Sequence, residues 1–346
     1  MKQTYRLPEE WYPQSGIQLT WPHEATDWKP ILDEVTETYV EMARKIALRE
    51  KLIIVAPQTD MVRHLLEERL TNKEFSNIRF VSCPTNDTWA RDHSFITLLD
   101  NDGFATLLDF CFNGWGEKFP SELDNSINVN LFNRWLFKAD YESHLDFVLE
   151  GGAIESDGKG TIFTTLGCHK APNRNQPLSI DEVESQLKER LRAERIVWIS
   201  YGHIAGDDTD GHIDTLVRIA PNDTLLHVFC DNIGDEHYHD LKRMREQLQS
   251  FTTLDGKPYR LIALPLPDKI MEDGERLPAT YANFLVINGA VLVPTYGQPD
   301  NDRLACERIK EAFPDREIIG INCRSLIKQH GSLHCCAMQF PQNTLE

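Results

Sequence analysis

The sequence lacks the features of membrane and secreted proteins. No apolar run in its 346 residues approaches the roughly 20 residues that a transmembrane helix needs. The first residues, MKQTYRLPEEWYPQ, contain no apolar segment of the kind that directs secretion. These absences predict a soluble, cytoplasmic protein that has no membrane partner.

Basic residues are scarce relative to acidic ones. The chain has 36 Lys and Arg against 54 Asp and Glu, which gives a formal net charge of −18. Binding of nucleic acid needs clustered basic side chains to neutralise phosphates, so a nucleic-acid partner is not expected. An acidic surface is compatible with a small cationic substrate, although it most often serves solubility.

Cysteine motifs for metals and disulfides are also missing. None of the eight cysteines forms a CxxC pair or has zinc-ribbon spacing. Without a secretion signal a disulfide framework is not expected, and most of these thiols are predicted to be buried. The sequence therefore predicts no metal and no other cofactor.

What the sequence does contain is a repeating order of elements. Hairpin patterns with turns such as Asn288-Gly289 are each followed by a helix-period segment and then by a short apolar strand. This order occurs about four times, and a fifth unit is completed if 16–22 pairs with 334–341. Such a repeat predicts radial or solenoid construction whose ends meet to close a ring. No linker interrupts it, so we predict a single domain over residues 1–346.

Acidic, histidine or cysteine side chains stand where most of the hairpins open. They are Asp92, Glu150, His212, Asp214 and Cys335. In units arranged round an axis, these side chains can converge at one end. A cysteine thiolate with a histidine supplies a nucleophile and an acid/base, and several carboxylates around one pocket need a cation between them. A planar guanidinium fits, because its N–H groups pair with carboxylates in bidentate fashion.

Strand alternation bears on which cysteine reacts. In an extended strand Cys335 would face away from both His334 and Cys336, so only one thiol enters a pocket. The same argument puts His212 and Asp214 on one face. His212 is therefore a better candidate for the base than the adjacent His334, and Cys336 is predicted to be structural.

At this point the residues match a known family. The chain resembles the agmatine deiminases, which are related to the bacterial peptidylarginine deiminases within the guanidine-modifying superfamily. The matching stretches include TWPHEATDW, NDTWARD, FNGWGEK, LEGGAIESDGKGTIFTT, DDTDGHIDTLVR, YANFLVINGAVLVPTYG, FPDREIIGI and GSLHCCAMQFP. They follow the family order over nearly the whole chain. The resemblance implies a five-bladed α/β propeller (pentein) with pseudo-five-fold repeats.

The resemblance also implies a role for each candidate residue. Cys335 would be the nucleophile and His212 the general acid/base. Asp92 and Asp214 would bind the guanidinium. Glu150 would pair with His212.

Substrate recognition follows from the same resemblance. Asp208 matches an acidic family position near the substrate. Independently of the resemblance, Trp89 and Trp115 are predicted as substrate contacts, although such tryptophans are more often core residues. Two stretches depart from the family pattern. His93-Ser94 stands where Gly-Pro is usual, and 330–332 stands where a glycine run is usual. These departures affect the expected substrate rather than the chemistry.

The implied activity is that of a hydrolase acting on C–N bonds of linear amidines. Agmatine and water would give N-carbamoylputrescine and ammonia, a step toward putrescine, through a covalent amidino intermediate on Cys335. The alternatives are deimination of free arginine or peptidyl-arginine, a metal-dependent ureohydrolase that releases urea, and an amidinotransferase or a non-catalytic guanidinium-binding relative. A homo-oligomer is left open by the sequence.

Overall fold

The computed structural model describes residues 4–346 as a mixed α/β fold. In chain order its strands are β1 Tyr5–Arg6, β2 Gln14–Thr20, β3 Lys51–Ala56, β4 Ile78–Ser82, β5 Ile96–Asp100, β6 Ala105–Cys111, β7 Ala139–Val148, β8 Ile154–Ser156, β9 Thr161–Thr165, β10 Arg195–Ile199, β11 Val217–Ala220, β12 Thr224–Phe229, β13 Arg260–Pro265, β14 Met271–Glu272, β15 Glu275–Arg276, β16 Leu285–Ile287, β17 Ala290–Thr295, β18 Glu317–Asn322 and β19 Ala337–Pro341. Its helices are α1 Leu32–Ala47, α2 Thr59–Arg69, α3 Asn72–Ser76, α4 Ala90–His93, α5 Gly114–Glu117, α6 Glu122–Asn125, α7 Ile127–Phe132, α8 Leu166–Lys170, α9 Ile180–Leu191, α10 Tyr238–Leu248 and α11 Pro299–Ala312. None of these helices combines the length and the apolar character that a bilayer crossing requires.

The chain forms two compact units. Among the described residues, unit 1 contains 4–5 together with Tyr12–Gly151 and Cys335–Glu346, and unit 2 contains Arg6–Trp11 and Gly152–His334. That residues 1–346 form one domain stays a prediction.

Unit 1 contains two four-stranded sheets, in the orders β1-β5-β6-β7 and β19-β2-β3-β4. The predicted pairing of the chain ends is confirmed, because β19 runs antiparallel to β2 with Ala337 opposite Leu19 and Gln339 opposite Ile17. Strands β3 and β4 then add in parallel, and β3, which lies between β2 and β4, is apolar and buried from Leu52 to Ala56.

The first unit is stabilised by burial of the faces that the sequence pattern marks as apolar. On α1 the buried residues include Val35, Tyr39, Met42 and Ile46, which follow the spacing of one helix face. A second cluster packs residues of β3, β4, β6 and α7 against Phe340 of β19. The closing strand is therefore part of the core.

Unit 2 contains three three-stranded sheets, β10-β9-β8, β11-β12-β13 and β16-β17-β18, and the small hairpin β14-β15. A capping box precedes α9, since the Ser179 hydroxyl accepts from the backbone of Glu182 and the Glu182 carboxylate accepts from the backbone of Ser179. The turn between β16 and β17 has the predicted Asn288-Gly289 sequence, with Gly289 in the left-handed region.

One strand pattern recurs in all five larger sheets. Each contains an antiparallel pair followed by a parallel pair, as in β5-β6-β7 and β8-β9-β10. The predicted repeat of hairpin, helix and strand is confirmed at this level. The sequence did not indicate the ten-residue strand β7 or the hairpin β14-β15. The side chains of β7 are largely polar and half-exposed, so they show no apolar run.

Candidate active site

Cys335 lies in a turn and not in a strand. The chain turns through 333–336, and β19 begins only at Ala337. The alternation argument, which needs an extended chain, was therefore wrong for this stretch. The carbonyl oxygen of Cys335 accepts a hydrogen bond from the backbone N–H of Arg91 at 3.1 Å, and the residue is 5% exposed. This bond holds the predicted nucleophile beside the segment that carries Asp92.

Cys336 packs inside unit 1. Its side chain is fully buried and forms a hydrogen bond with the hydroxyl of Tyr39. Burial raises the pKa of the Cys336 thiol to about 12, and the charges of Asp87 and Asp92 add to the rise. A thiol with this pKa is protonated at neutral pH and is a poor nucleophile. These contacts agree with the structural role predicted for Cys336.

Asp92 lies on the single turn α4, whereas the sequence pattern placed it at the entry of a strand. The strand β5 begins four residues later, at Ile96. The buried Oδ2 of Asp92 accepts a hydrogen bond from the indole N–H of Trp115 at 3.0 Å. Trp115 itself has a left-handed φ of 56°. The tight turn around Trp115 thus orients a predicted guanidinium ligand, and direct contact between Trp115 and substrate stays a prediction.

Trp89 belongs to the support of the same loop. The two carboxylate oxygens of Asp87 accept hydrogen bonds from the indole N–H groups of Trp28 and Trp89, at 3.0 and 2.9 Å. Burial raises the pKa of Asp87 to about 6, while these two indole hydrogen bonds lower it. The loop that leads to Asp92 is therefore fixed by a buried carboxylate. The role of Trp89 as a substrate contact remains a prediction.

Glu150 is brought to this segment by the glycine that follows it. A Cβ on Gly151 would lie 2.2 Å from the carbonyl oxygen of Arg91, so only glycine permits the approach. Glu150 is buried, and its charge adds to the effect of burial in raising the pKa of Cys111. The backbone of Arg91 therefore contacts the Cys335 segment through its N–H and the Glu150 segment at its carbonyl.

The departure at His93-Ser94 is accommodated by contacts with β2. The Nε2 atom of His93 lies 3.2 Å from the hydroxyl of Thr20, and the Ser94 hydroxyl donates to Gln18 at 2.8 Å. Both residues are buried. They anchor α4 on the closing sheet, so this departure from the family pattern has a structural role.

We predict that His93 makes the folded protein sensitive to acid. Burial lowers the pKa of His93 from 6.5 to about 3. The unfolded chain then binds this proton more tightly, so the contribution to stability is complete above pH 6.5 and is lost as the pH falls toward 3. The loss is about 1.4 kcal/mol per pH unit, or about 2 kcal/mol between pH 6.5 and pH 5.

Urea unfolding at pH 7.5 and pH 5.0 measures this effect. The His93→Gln variant should lose about 2 kcal/mol less than the parent protein between these two pH values. The other buried histidines contribute equally to both proteins and cancel in the comparison. Equal losses in the two proteins would show that His93 does not cause the acid sensitivity.

In unit 2, His212 precedes a 3-10 turn at Ile213–Thr215, and β11 begins only at Val217. The prediction that His212 and Asp214 share the face of an extended strand was therefore wrong. His212 is completely buried. Its backbone N–H donates to the Thr209 hydroxyl at 2.9 Å, and its carbonyl accepts from the Thr215 hydroxyl at 2.8 Å. Side-chain hydrogen bonds on both sides thus set the position of the predicted acid/base.

Asp214 is completely buried and paired with His334, whose Nδ1 lies 2.7 Å from Oδ2 of the carboxylate. Burial opposes ionisation, but the hydrogen bond to His334 and the charges of His334 and His212 hold the pKa of Asp214 below its usual value. The carboxylate is therefore ionised at neutral pH, as binding of a guanidinium requires.

Asp208 is the most exposed of the predicted site residues in unit 2. Its side chain is 44% exposed, and its carboxylate lies 3.7 Å from Nδ1 of His330. The same Nδ1 lies 2.6 Å from the carbonyl oxygen of Gly206. His330, the second departure from the family pattern, is therefore attached to the loop that carries Asp208.

A buried ionic cluster in unit 2 was not identified from the sequence. Arg218 donates hydrogen bonds to the carboxylates of Glu10 and Glu155, and Glu10 also contacts His334. Glu10, Glu155 and His334 are close enough together to hold a metal ion, but the guanidinium of Arg218 already binds both carboxylates. An arginine inside the apolar run TLVRIAP was the available sequence signal for a buried ion pair.

Comparison with known proteins places these residues in a family. The model for the Porphyromonas-type peptidyl-arginine deiminases matches residues 6–341. The chain belongs to this family. The resemblance predicted from the motifs is thereby confirmed.

Several known proteins resemble the chain over nearly its full length. A Legionella pneumophila (strain Paris) protein provisionally named agmatine deiminase is 34% identical over 98% of this chain and 96% of its own. A crystal structure from Porphyromonas gingivalis, described provisionally as an arginine deiminase, is 46% identical, covers 99% of this chain and 100% of its own, and has a TM-score of 0.93. A cysteine-to-serine variant of the C. jejuni agmatine deiminase, solved with substrate bound, is 37% identical over 99% of this chain and 97% of its own, with a TM-score of 0.90.

Proposed function

We propose that the protein is a hydrolytic deiminase that converts agmatine and water to N-carbamoylputrescine and ammonia. The observation that carries this proposal is the full-length similarity to the C. jejuni agmatine deiminase, at 37% identity and a TM-score of 0.90. The buried cysteine and carboxylates described above are the residue types that this chemistry requires. The enzyme belongs to the hydrolases that act on C–N bonds in linear amidines.

The first half-reaction transfers the amidino group to the enzyme. The thiolate of Cys335 attacks the guanidinium carbon, and a tetrahedral adduct forms. Asp92 and Asp214 hold the guanidinium N–H groups and stabilise the positive charge. His212 gives a proton to the departing nitrogen, the C–N bond breaks, and ammonia leaves.

The second half-reaction releases the product. His212, now neutral, takes a proton from a water molecule that attacks the carbon of the amidino thioether. The C–S bond then breaks, the proton of the added hydroxyl passes to solvent, and the ureido product leaves as Cys335 returns to the thiolate and His212 stays protonated for the next turnover. Glu150 is proposed to pair with His212 and to favour its protonated form when the acid is needed.

We also propose a specific architecture and a cellular location for the protein. The five larger sheets would be the blades of an α/β propeller with pseudo-five-fold repeats, which is supported by their common order of an antiparallel and then a parallel pair. A cytoplasmic location fits the metabolic substrate. A small cationic guanidino compound is the proposed partner.

Agmatine is favoured over arginine because two arginines near the loop that carries Asp208 are already paired with carboxylates. The guanidinium of Arg174 pairs with Asp210 at 2.7 Å, and that of Arg276 pairs with Asp235 and Glu236 at 3.0 and 2.9 Å. A carboxylate of arginine placed near acidic side chains would lose hydration without gaining a cationic partner. A primary ammonium gains a carboxylate instead.

We predict that Asp208→Asn raises KM for agmatine more than it lowers kcat. A residue that binds the far amine does so equally in the ground and transition states, so its loss weakens binding without changing the chemical barrier. An increase in KM of about twofold to fivefold is expected for loss of one ion pair at a partly exposed site. Steady-state kinetics measures both constants, and Asp231→Asn on another exposed loop of the same unit is the control. A fall in kcat with KM unchanged would contradict the assignment to the amine.

The proposed reaction is tested by comparing substrates and identifying the product of each. The protein is incubated with agmatine, free arginine or an arginyl peptide, and ammonia, urea and ureido product are measured separately, with and without a chelator. We expect ammonia and N-carbamoylputrescine from agmatine, and no effect of the chelator. Free arginine is the second candidate substrate, because the P. gingivalis structure at 46% identity is described as an arginine deiminase. Turnover of arginine equal to or faster than that of agmatine would overturn the substrate assignment, and urea as product would overturn the deiminase assignment.

A further inference from the structure

The residue before the nucleophile, His334, is bound between two carboxylates. Its Nδ1 lies 2.7 Å from Oδ2 of Asp214, and its Nε2 lies 3.0 Å from Oε2 of Glu10. The side chain is 1% exposed, so water contributes little to either contact. A neutral imidazole can donate through only one of its nitrogens, whereas an ionised carboxylate can only accept. Both contacts are hydrogen bonds only when both ring nitrogens carry a proton.

The backbone holds His334 and Asp214 in register. The side-chain oxygen of Asn283 accepts from the backbone N–H of His334 at 3.0 Å, and its amide nitrogen donates to the carbonyl oxygen of Asp214 at 3.3 Å. The Thr280 hydroxyl donates to the carbonyl of Thr215 at 2.8 Å. Because Asn283 bonds to the backbone of both residues, it holds the main chain of His334 close to that of Asp214.

Beyond Glu10 the network ends on a rigid cation. Arg218 donates to Glu10 and Glu155 and to the carbonyl oxygen of Ala282, and its guanidinium stacks 4.4 Å from the ring centre of Phe284. The other oxygen of Glu10 accepts from the backbone N–H of Val286 at 2.8 Å. Glu10 therefore cannot turn away from His334 without losing two further partners.

We propose that His334 is a positioning residue for the guanidinium of the substrate: as an imidazolium it fixes the carboxylate of Asp214 and connects it to the Glu10–Arg218 ion pair. This inference rests on the proposed function, in which Asp214 binds the guanidinium.

The charges of the network give this arrangement a function. The three carboxylates of Asp214, Glu10 and Glu155 are linked by the two cations Arg218 and His334. A guanidinium that binds Asp214 therefore meets a carboxylate that is already ionised and held in place. Without the charge on His334, the carboxylate would lose its fixed partner and would have to be reoriented for each substrate molecule.

Binding measured without catalysis tests the proposal. Agmatine is titrated calorimetrically into the Cys335→Ala protein and into the same protein carrying His334→Gln, Glu10→Gln or His227→Gln. Glutamine at position 334 can keep one hydrogen bond but carries no charge. His227 is the matched control, since it is equally buried in unit 2 but its Nδ1 lies near the carbonyl of Val228 and no carboxylate. Ring-nitrogen NMR of histidine-labelled Cys335→Ala protein at pH 7.5 reports the protonation of His334, with His334→Gln providing the assignment.

We expect His334→Gln to weaken agmatine binding at least tenfold and Glu10→Gln to weaken it severalfold. His227→Gln should change the dissociation constant less than twofold. The NMR signal of His334 should be that of a doubly protonated ring. If His334→Gln does not fold, Glu10→Gln carries the binding test.

Two failures are distinguishable. If the Cys335→Ala protein binds neither agmatine nor arginine, the proposed function is wrong. If it binds agmatine and the His334 and Glu10 variants bind equally well, or if the ring of His334 is neutral, the role of His334 is wrong and the deiminase assignment stands.

Discussion

Replacing Cys335 by alanine is expected to abolish deimination of agmatine, while replacing Cys336 by alanine should leave it within a few-fold of the parent rate. Loss of the nucleophile removes the covalent intermediate, and a decrease of at least about 10⁴-fold is usual for such a change. Cys336 contributes a buried thiol with a pKa of about 12 and a hydrogen bond to Tyr39. Its loss should lower the melting temperature rather than the rate.

The two effects are measured by ammonia release and by thermal unfolding of each variant. Both proteins should fold, since the main-chain bond from Arg91 to the carbonyl of Cys335 does not depend on the side chain. Iodoacetamide labelling provides an independent control, because agmatine should protect Cys335 from modification. An active Cys335→Ala protein together with an inactive Cys336→Ala protein would show that Cys336, and not Cys335, is the nucleophile.

The order of elements could be predicted because each sheet is built from sequence-local pieces. An antiparallel hairpin with an Asn-Gly or Asp-Gly turn and a short apolar strand after a helix are both visible in single segments. Even the long-range pairing of β19 with β2 could be inferred, because the count of repeats left one hairpin without its partner. The candidate site residues could be identified because acidic, histidine and cysteine side chains stand where the hairpins open.

The local geometry of the site could not be predicted from the strand period. Residues 333–336 form a turn and Ile213–Thr215 a 3-10 turn, so alternation does not apply to Cys335, His212 or Asp214. Turns of this kind are stabilised by hydrogen bonds with side chains distant in sequence, such as the bond from the backbone N–H of His334 to the amide oxygen of Asn283. Such partners have no periodic pattern in the sequence.

The buried ionic cluster shows a second limit. Glu10 and His334 lie 324 residues apart in the chain, and nothing in the stretch around Glu10 distinguishes it from an exposed acid. Only the charge on Arg218 within an apolar strand indicated that a partner must be buried nearby. The packing of unit 2 determines that Glu10 and Glu155 are the carboxylates that pair with Arg218.

His212→Gln is expected to stop both halves of the reaction. In the proposed mechanism one imidazole first protonates the departing ammonia and then activates the water, so its loss blocks formation of the thioether as well as its hydrolysis. Glutamine has a similar length and can keep neutral hydrogen bonds, but it cannot transfer a proton at neutral pH. Turnover should fall by at least about 10³-fold.

Intact-mass spectrometry after mixing with agmatine separates the two steps. The His212→Gln protein should retain its unmodified mass, because the first C–N bond is not broken. His169→Gln is the control for a buried histidine of the same unit, since the Nε2 of His169 lies 3.0 Å from the Thr164 hydroxyl and its ring packs edge-on against Trp198. That variant should turn over agmatine at nearly the parent rate. Accumulation of a mass equal to enzyme plus agmatine less ammonia would mean that another group donates the first proton, and His212 would then be assigned to hydrolysis alone.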